Sequence, residues 1–151
     1  MNAISDTQLD DMIAMMRSKS NIFDGDHVSR DAPLTEIQIS QIERNYGIQL
    51  NTQYRRFLMI YGAGDFLFSQ FYSVDPSSTW SLWRQSQFVN GVGKSVLPFS
   101  DNGCGDYYAF LLLDGLCSDR IYLLEHELGY TVLELEYSSF NDFVAQTALN
   151  A

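Results

Sequence analysis

Four stretches of the chain carry apolar residues at helical spacing, and between them the apolar residues come in short aromatic and β-branched runs. Leu9, Met12, Ile13 and Met16 form the first helical stripe. Ser5 and Gln8 stand before it as an S-x-x-Q capping box, with Ile4 and Leu9 as the apolar pair that staples across the cap. This predicts a helix over Asp6–Lys19. The same device recurs at Thr35 and Gln38, with Leu34 and Ile39 as the staple. Ile39, Ile42 and Tyr46 then mark a buried stripe, and Gly47 suits the left-handed residue that ends a helix. A third helix starts at Asn51 or Thr52 and places Tyr54, Phe57, Leu58 and Tyr61 on one face, with Gly62 as its stop. The closing stretch SSFNDFVAQTALN has serine caps and groups Phe140, Phe143, Val144 and Ala148, which predicts a last helix.

From Asp65 the pattern changes to strands, beginning with FLFSQFYSV and continuing with SVLPFS, YYAFLLLD, RIYLLEHE and TVLELEY. The last four are separated only by DNGCGD, GLCSD and ELG, so they read as an antiparallel meander. In YYAFLLL both alternating sets are apolar, as for a strand covered on each face. Ser77 to Asn90 interrupts this texture with Trp80, Trp83 and Phe88 and reads as an inserted helix or long ordered loop. Ser20 to Pro33 reads as a connection, and its His27 has no partner pattern. The predicted class is α+β: one antiparallel sheet of about five to six strands, N-terminal helices before it and one C-terminal helix after it. A single domain over residues 1–151 is expected.

Composition adds limits. With 46% hydrophobic and 19% charged residues the chain is ordinary for a globular protein, and no apolar run approaches the ~18 residues of a membrane span. The first residues lack the basic and apolar regions of a secretory signal, so a cytoplasmic protein is expected, with Cys104 and Cys117 as reduced thiols. The net charge of −10 changes the picture more. After Ser95 the acids are Asp101, Asp106, Asp114, Asp119, Glu125, Glu127, Glu134, Glu136 and Asp142, against Arg120 alone. Such a balance disfavours nucleic acid and anionic lipid as partners and favours a basic protein surface, although a charge run usually means no more than a solvated face that keeps the chain soluble.

The stretch DNGCGDYYAF (Asp101 to Phe110) invites a chemical reading. As a calcium loop it fails, because glycines fall where oxygen ligands belong. As a zinc site, Cys104, Cys117 and His126 have no recognisable spacing. A hydrolytic set of Asp101, Asp106, Glu125 and His126 can be assembled, but nothing in the spacing demands it, and nucleophile elbow, H-E-x-x-H and Walker motifs are all missing. YGAGD lacks the third glycine of a dinucleotide loop and follows a helix. No metal, cofactor or catalytic residue is therefore assigned. Asn102-Gly103 is a hairpin signal, and Gly105 adds a second position tolerant of positive φ, so the loop is first a turn. Trp80 and Trp83 read either as plugs for the core or as aromatic anchors inside a charged rim.

Taken in order, the motifs resemble a known family. They are I-x-x-I-E-x-x-Y-G (Ile39 to Gly47), Y-x-x-F-L (Tyr54 to Leu58), Y-G-x-G (Tyr61 to Gly64), L-P-F-x-D-N-G-x-G-D-Y-Y (Leu97 to Tyr108), E-H-E-L-G and a final S-F-x-D-F. Over about Leu34 to Ala148 this is similar to the SUKH superfamily, which joins fungal Smi/Knr-type cell-wall regulators to many bacterial proteins. Asn51 stands where the family usually has proline. By position, Glu43, Tyr54, Phe57, Gly62, Gly64 and Asp106 carry the family pattern. The resemblance implies an α+β fold without catalysis and, in bacteria, an immunity protein that binds and neutralises a polymorphic or contact-dependent toxin, often a nuclease; the alternative it implies is a regulatory scaffold like the fungal members. Tyr72, Trp80, Trp83, Asp101, Glu125, Glu127, Glu134 and Glu136 are the candidate partner-binding residues.

Overall fold

The computed structural model describes residues 3–19, 28–135 and 137–149. Helix α1 spans Asp6–Lys19, α2 Glu36–Tyr46 and α3 Thr52–Ile60. Both capping boxes form. The Ser5 hydroxyl accepts the Gln8 N–H while the Gln8 side chain accepts the Ser5 N–H, and Thr35 and Gln38 repeat the exchange. At α3 the Asn51 carboxamide oxygen accepts the N–H groups of both Gln53 and Tyr54, so the helix starts on a side-chain cap. Leu9 and Ile13 of α1 and Tyr54, Phe57 and Leu58 of α3 are buried. The stripe of α2 is narrower than its spacing predicts: Ile39 alone is buried, and Tyr46 lies 41% exposed, stacked on Trp83 with ring centroids 4.4 Å apart.

Among the described residues, seven strands form one antiparallel sheet: β1 Gly64–Phe66, β2 Ser69–Phe71, β3 Val96–Asp101, β4 Tyr107–Leu113, β5 Leu116–Cys117, β6 Tyr122–Glu125 and β7 Thr131–Glu134. Their order is β1-β2-β3-β4-β6-β7, with β5 folding back on β4. Two details differ from the sequence pattern. FLFSQFYSV is a tight hairpin, β1–β2, rather than one strand, and GLCSD supplies a two-residue strand rather than only a turn. The interruption at Ser77 to Asn90 holds one helical turn, α4 (Leu82–Gln85). The C-terminal helix α5 (Phe140–Phe143) continues as a π-helical turn over Val144–Ala148.

Helices α1, α3 and α5 cover one face of the sheet, and the core between is unusually aromatic. Tyr54, Phe57, Phe66, Phe71, Phe99, Phe110, Phe140 and Phe143 are all below 2% exposed. Their rings meet edge-to-face or offset, as at Phe57–Phe66 (5.0 Å) and Phe99–Phe143 (5.1 Å), geometries worth about 0.5–1.5 kcal/mol each beyond burial. The buried Tyr54 hydroxyl is satisfied by the Tyr72 carbonyl at 2.6 Å. Across the sheet, Ala109 and Leu124 form a second, smaller core with Val96 and with Val89 of the insertion. Strand β4 is thus covered on both faces.

The segment before α2, read as a mere connection, has a structural task. Arg30 bridges Gly64, the Ser29 carbonyl accepts the Asp65 N–H, and Asp31 N–H donates to Ala63, so this segment covers the outer edge of β1. The backbones approach too closely for side chains: a Cβ on Gly62 would lie 2.5 Å from the Asp31 carbonyl oxygen, and one on Gly64 2.4 Å from that of Ser29. His27 lies outside the described residues.

Candidate partner-binding surface

The loop between β3 and β4 binds mostly to itself. The Asn102 carboxamide oxygen accepts the N–H groups of Cys104 and Asp106, and the Asn102 amide donates to Asp106 at 2.9 Å. Gly103 (φ 76°) and Gly105 (φ 97°) supply the left-handed positions that Asn102-Gly103 and Gly105 predict. Asp106 then reaches outward. Its Oδ1 accepts the backbone N–H of His126 at 2.9 Å and lies 2.6 Å from His126 Nδ1. The His126 backbone N–H, then the imidazole and Asn102, hold the Asp106 carboxyl below the usual carboxylate range. Gly105 makes room for the imidazole, since a Cβ there would stand 3.1 Å from Nδ1. Asp106 therefore clasps the β3–β4 loop to the 3-10 turn His126–Leu128 that follows β6.

Glu43 does a comparable task in the helical layer. One carboxylate oxygen accepts the Leu50 N–H at 2.9 Å and the other pairs with Arg55 Nε at 3.1 Å, tying α2, the link after it and α3 together. Tyr54, Phe57, Gly62 and Gly64 are core or close-approach positions, so each residue of the family pattern has a structural partner.

The partner-binding candidates do not gather in one place. Tyr72, a partner-binding candidate, is only 1% exposed and its hydroxyl donates to Asp101, so it is a core residue and not an exposed anchor. Burial, reinforced by Asp101, pushes its ionisation far up and keeps it a neutral donor. Trp80 is half-buried against the core with its indole N–H on the Ser29 hydroxyl. Trp83, also half-buried, stacks on Tyr46 and packs over Gly93, which is tied to Val96 at the far end of β3 from Asp101. Asp101 is half-exposed. Glu134 is exposed on the edge strand β7, Glu127 is exposed in the 3-10 turn, and Glu125 is half-exposed on β6; register pairs Glu125 with Thr131 and Tyr122 with Glu134, which places Glu125 and Glu134 on opposite faces. Glu134 is bonded to Arg120 at 2.5 Å. Glu136 lies outside the described residues. Of the hydrolytic set, Asp106 and His126 meet, but Asp101 is turned to Tyr72 and the Gly103 N–H.

One feature escaped the sequence pattern. A cavity of about 710 Å³ opens between the β1–β2 turn, the β3–β4 loop and the π-helical turn, lined among others by Asp65, Phe68, Asp101, Tyr108 and Thr147. Phe68, at the tip of the turn, is 62% exposed and its N–H reaches the Ala148 carbonyl at 3.3 Å. The described residues hold no cluster of three or more metal-ligating side chains, and no helix among them is long and apolar enough to cross a membrane.

The fold is shared with a crystal structure of a protein from Pseudomonas syringae pv. tomato, which is 18% identical and superposes with a TM-score of 0.60 over 94% of this chain and 99% of that one. No curated protein matches the sequence. The SUKH_6 family model, described as SMI1-KNR4 cell-wall, matches residues 36–144, from the start of α2 into the C-terminal helix. The chain therefore belongs to the SUKH (SMI1-KNR4) family.

Proposed function

We propose that this protein is an immunity protein, acting in the cytoplasm, that binds and neutralises a cognate polymorphic or contact-dependent toxin. The observation that carries the reading is a net charge of −10 in a member of this family, with Glu125, Glu127 and Glu134 adding carboxylates on both faces of the β6–β7 end of the sheet. A toxin that acts on nucleic acid must present a basic cleft to phosphate, and an acidic partner is steered to such a cleft and covers it. Neutralisation of this kind is binding alone and asks no chemistry of the chain. Asp101, at the end of β3, adds a carboxylate to the lining of the cavity.

The test is co-expression with the product of the adjacent gene, followed by co-purification and a growth-rescue assay. A stable complex with restored growth supports immunity; neither complex nor rescue refutes it. The family description, SMI1-KNR4 cell-wall, favours a second reading as a regulatory scaffold. A solitary locus, with a stable complex to a housekeeping protein and no effect on toxicity, would establish that reading instead.

A further inference from the structure

We infer that the cavity between the β1–β2 turn and the β3–β4 loop is a socket for an arginine side chain projected by the partner protein. This rests on the immunity reading for its partner, but the socket's chemistry stands on the cavity itself. At about 710 Å³ it falls within the roughly 300–1,000 Å³ of ordinary ligand sites. Its described lining includes two carboxylates, Asp65 and Asp101, and no lysine or arginine.

Each carboxylate is held in place but not neutralised. Asp65 accepts the Ser29 N–H at 2.9 Å and the Gln70 amide at 3.0 Å, while Asp101 accepts the Tyr72 hydroxyl and the Gly103 N–H. All of these donors are uncharged at neutral pH, and neither carboxylate makes an ion pair among the described residues. Each carboxylate oxygen takes one donor among the described residues and can accept a second, so acceptor capacity remains.

The apolar part of the lining fits a flat cation. Phe68 presents its ring to solvent at the rim, and Tyr108 is held edge-on against Phe143 at 4.7 Å. Burial, then nearby Tyr137 and the acids, raises the Tyr108 ionisation, and its hydroxyl has no hydrogen-bond partner among the described residues. A guanidinium stacks on aromatic faces and donates in a planar fork to carboxylates, whereas an ammonium does neither as well. Thr147, whose hydroxyl donates to the Phe143 carbonyl, stands on the third wall. The occupant is therefore arginine rather than a neutral or anionic group.

The test uses the isotopically labelled full chain titrated with N-acetyl-arginine-amide, and in parallel with the lysine and citrulline analogues, up to about 50 mM, which detects millimolar binding. Arginine should shift the amides of Asp65, Phe68, Gln70, Gly103 and Tyr108 in a saturable way, with lysine weaker and citrulline at least about tenfold weaker. Asp65→Asn combined with Asp101→Asn should weaken arginine about tenfold, and the exposed Phe68→Ser, which leaves the core untouched, about two- to fivefold. Absent shifts, shifts spread over the whole acidic surface, or equal binding of citrulline overturn the socket. If a toxin complex forms with affinity unchanged by the double substitution, the socket fails and immunity stands. If arginine fills the socket but the chain neither binds nor protects against the adjacent toxin, immunity fails and the socket stands.

Discussion

Asp106 and His126 are joined twice: one carboxylate oxygen takes both the backbone N–H and the imidazole Nδ1 of the histidine, at 2.9 and 2.6 Å. The carboxyl is held below its ordinary range, so its contribution to stability is complete above the unfolded value and is lost as pH falls through the lower folded value. Asp106→Asn should lower the melting temperature at pH 7 and speed exchange of the His126 amide. The gap from the parent protein should close below about pH 4, where unfolded carboxyls also protonate. A gap that is the same at pH 7 and pH 3 would refute the charge-based clasp.

Removing Glu43 leaves the Leu50 N–H without its acceptor and Arg55 without its carboxylate. Glu43→Ala should cost about 1–3 kcal/mol in urea unfolding, while Glu43→Gln, which keeps an acceptor, should cost less. Equal costs would mean that the ion pair, rather than the backbone bond, sets the effect.

Gly64 and Gly47 both have positive φ, at 113° and 64°, yet they differ in their surroundings. A Cβ on Gly47 meets nothing within 4 Å, whereas one on Gly64 collides with Ser29 and Arg30 backbone. Gly47→Ala should cost about 1 kcal/mol from backbone conformation alone, and Gly64→Ala about 3 kcal/mol or more because the edge of β1 must open. Thermal unfolding of the two variants side by side checks the ranking.

Tyr54→Phe keeps the ring among Phe99, Phe110 and Phe140 but leaves the Tyr72 carbonyl without the hydroxyl it receives. A loss of about 1–3 kcal/mol by chemical denaturation is expected, with no change in secondary structure.

Charge reversal of Glu125, Glu127, Glu134 and Glu136 should slow association with a basic toxin by about tenfold or more at low salt, with the difference fading as salt rises. Glu134→Lys should contribute least, because Arg120 already occupies that carboxylate. Stopped-flow association across a salt series gives the result, and an unchanged rate would remove this edge from the interface.

Helix starts, the strand series and the turn at Asn102-Gly103 were determined by the sequence on its own. The reason is range: Ser5 with Gln8, Thr35 with Gln38 and Asn51 with Gln53 bond across two or three residues, so neighbouring letters contain both partners. The alternation in β4 is equally local, and it correctly implied cover on both faces. Tertiary structure alone decided which aromatics reach solvent. Tyr72 and Phe68 are four positions apart in similar company, but Tyr72 is buried beside Tyr107 with its hydroxyl on Asp101 while Phe68 is exposed at an open turn. It also decided that Gly64 meets Ser29, that Asp106 meets His126, and that Asp65, Asp101 and Thr147 line one cavity. Those meetings join segments 20 to more than 80 residues apart. Local propensity does not encode them, because they are set by how the aromatic core draws the chain together.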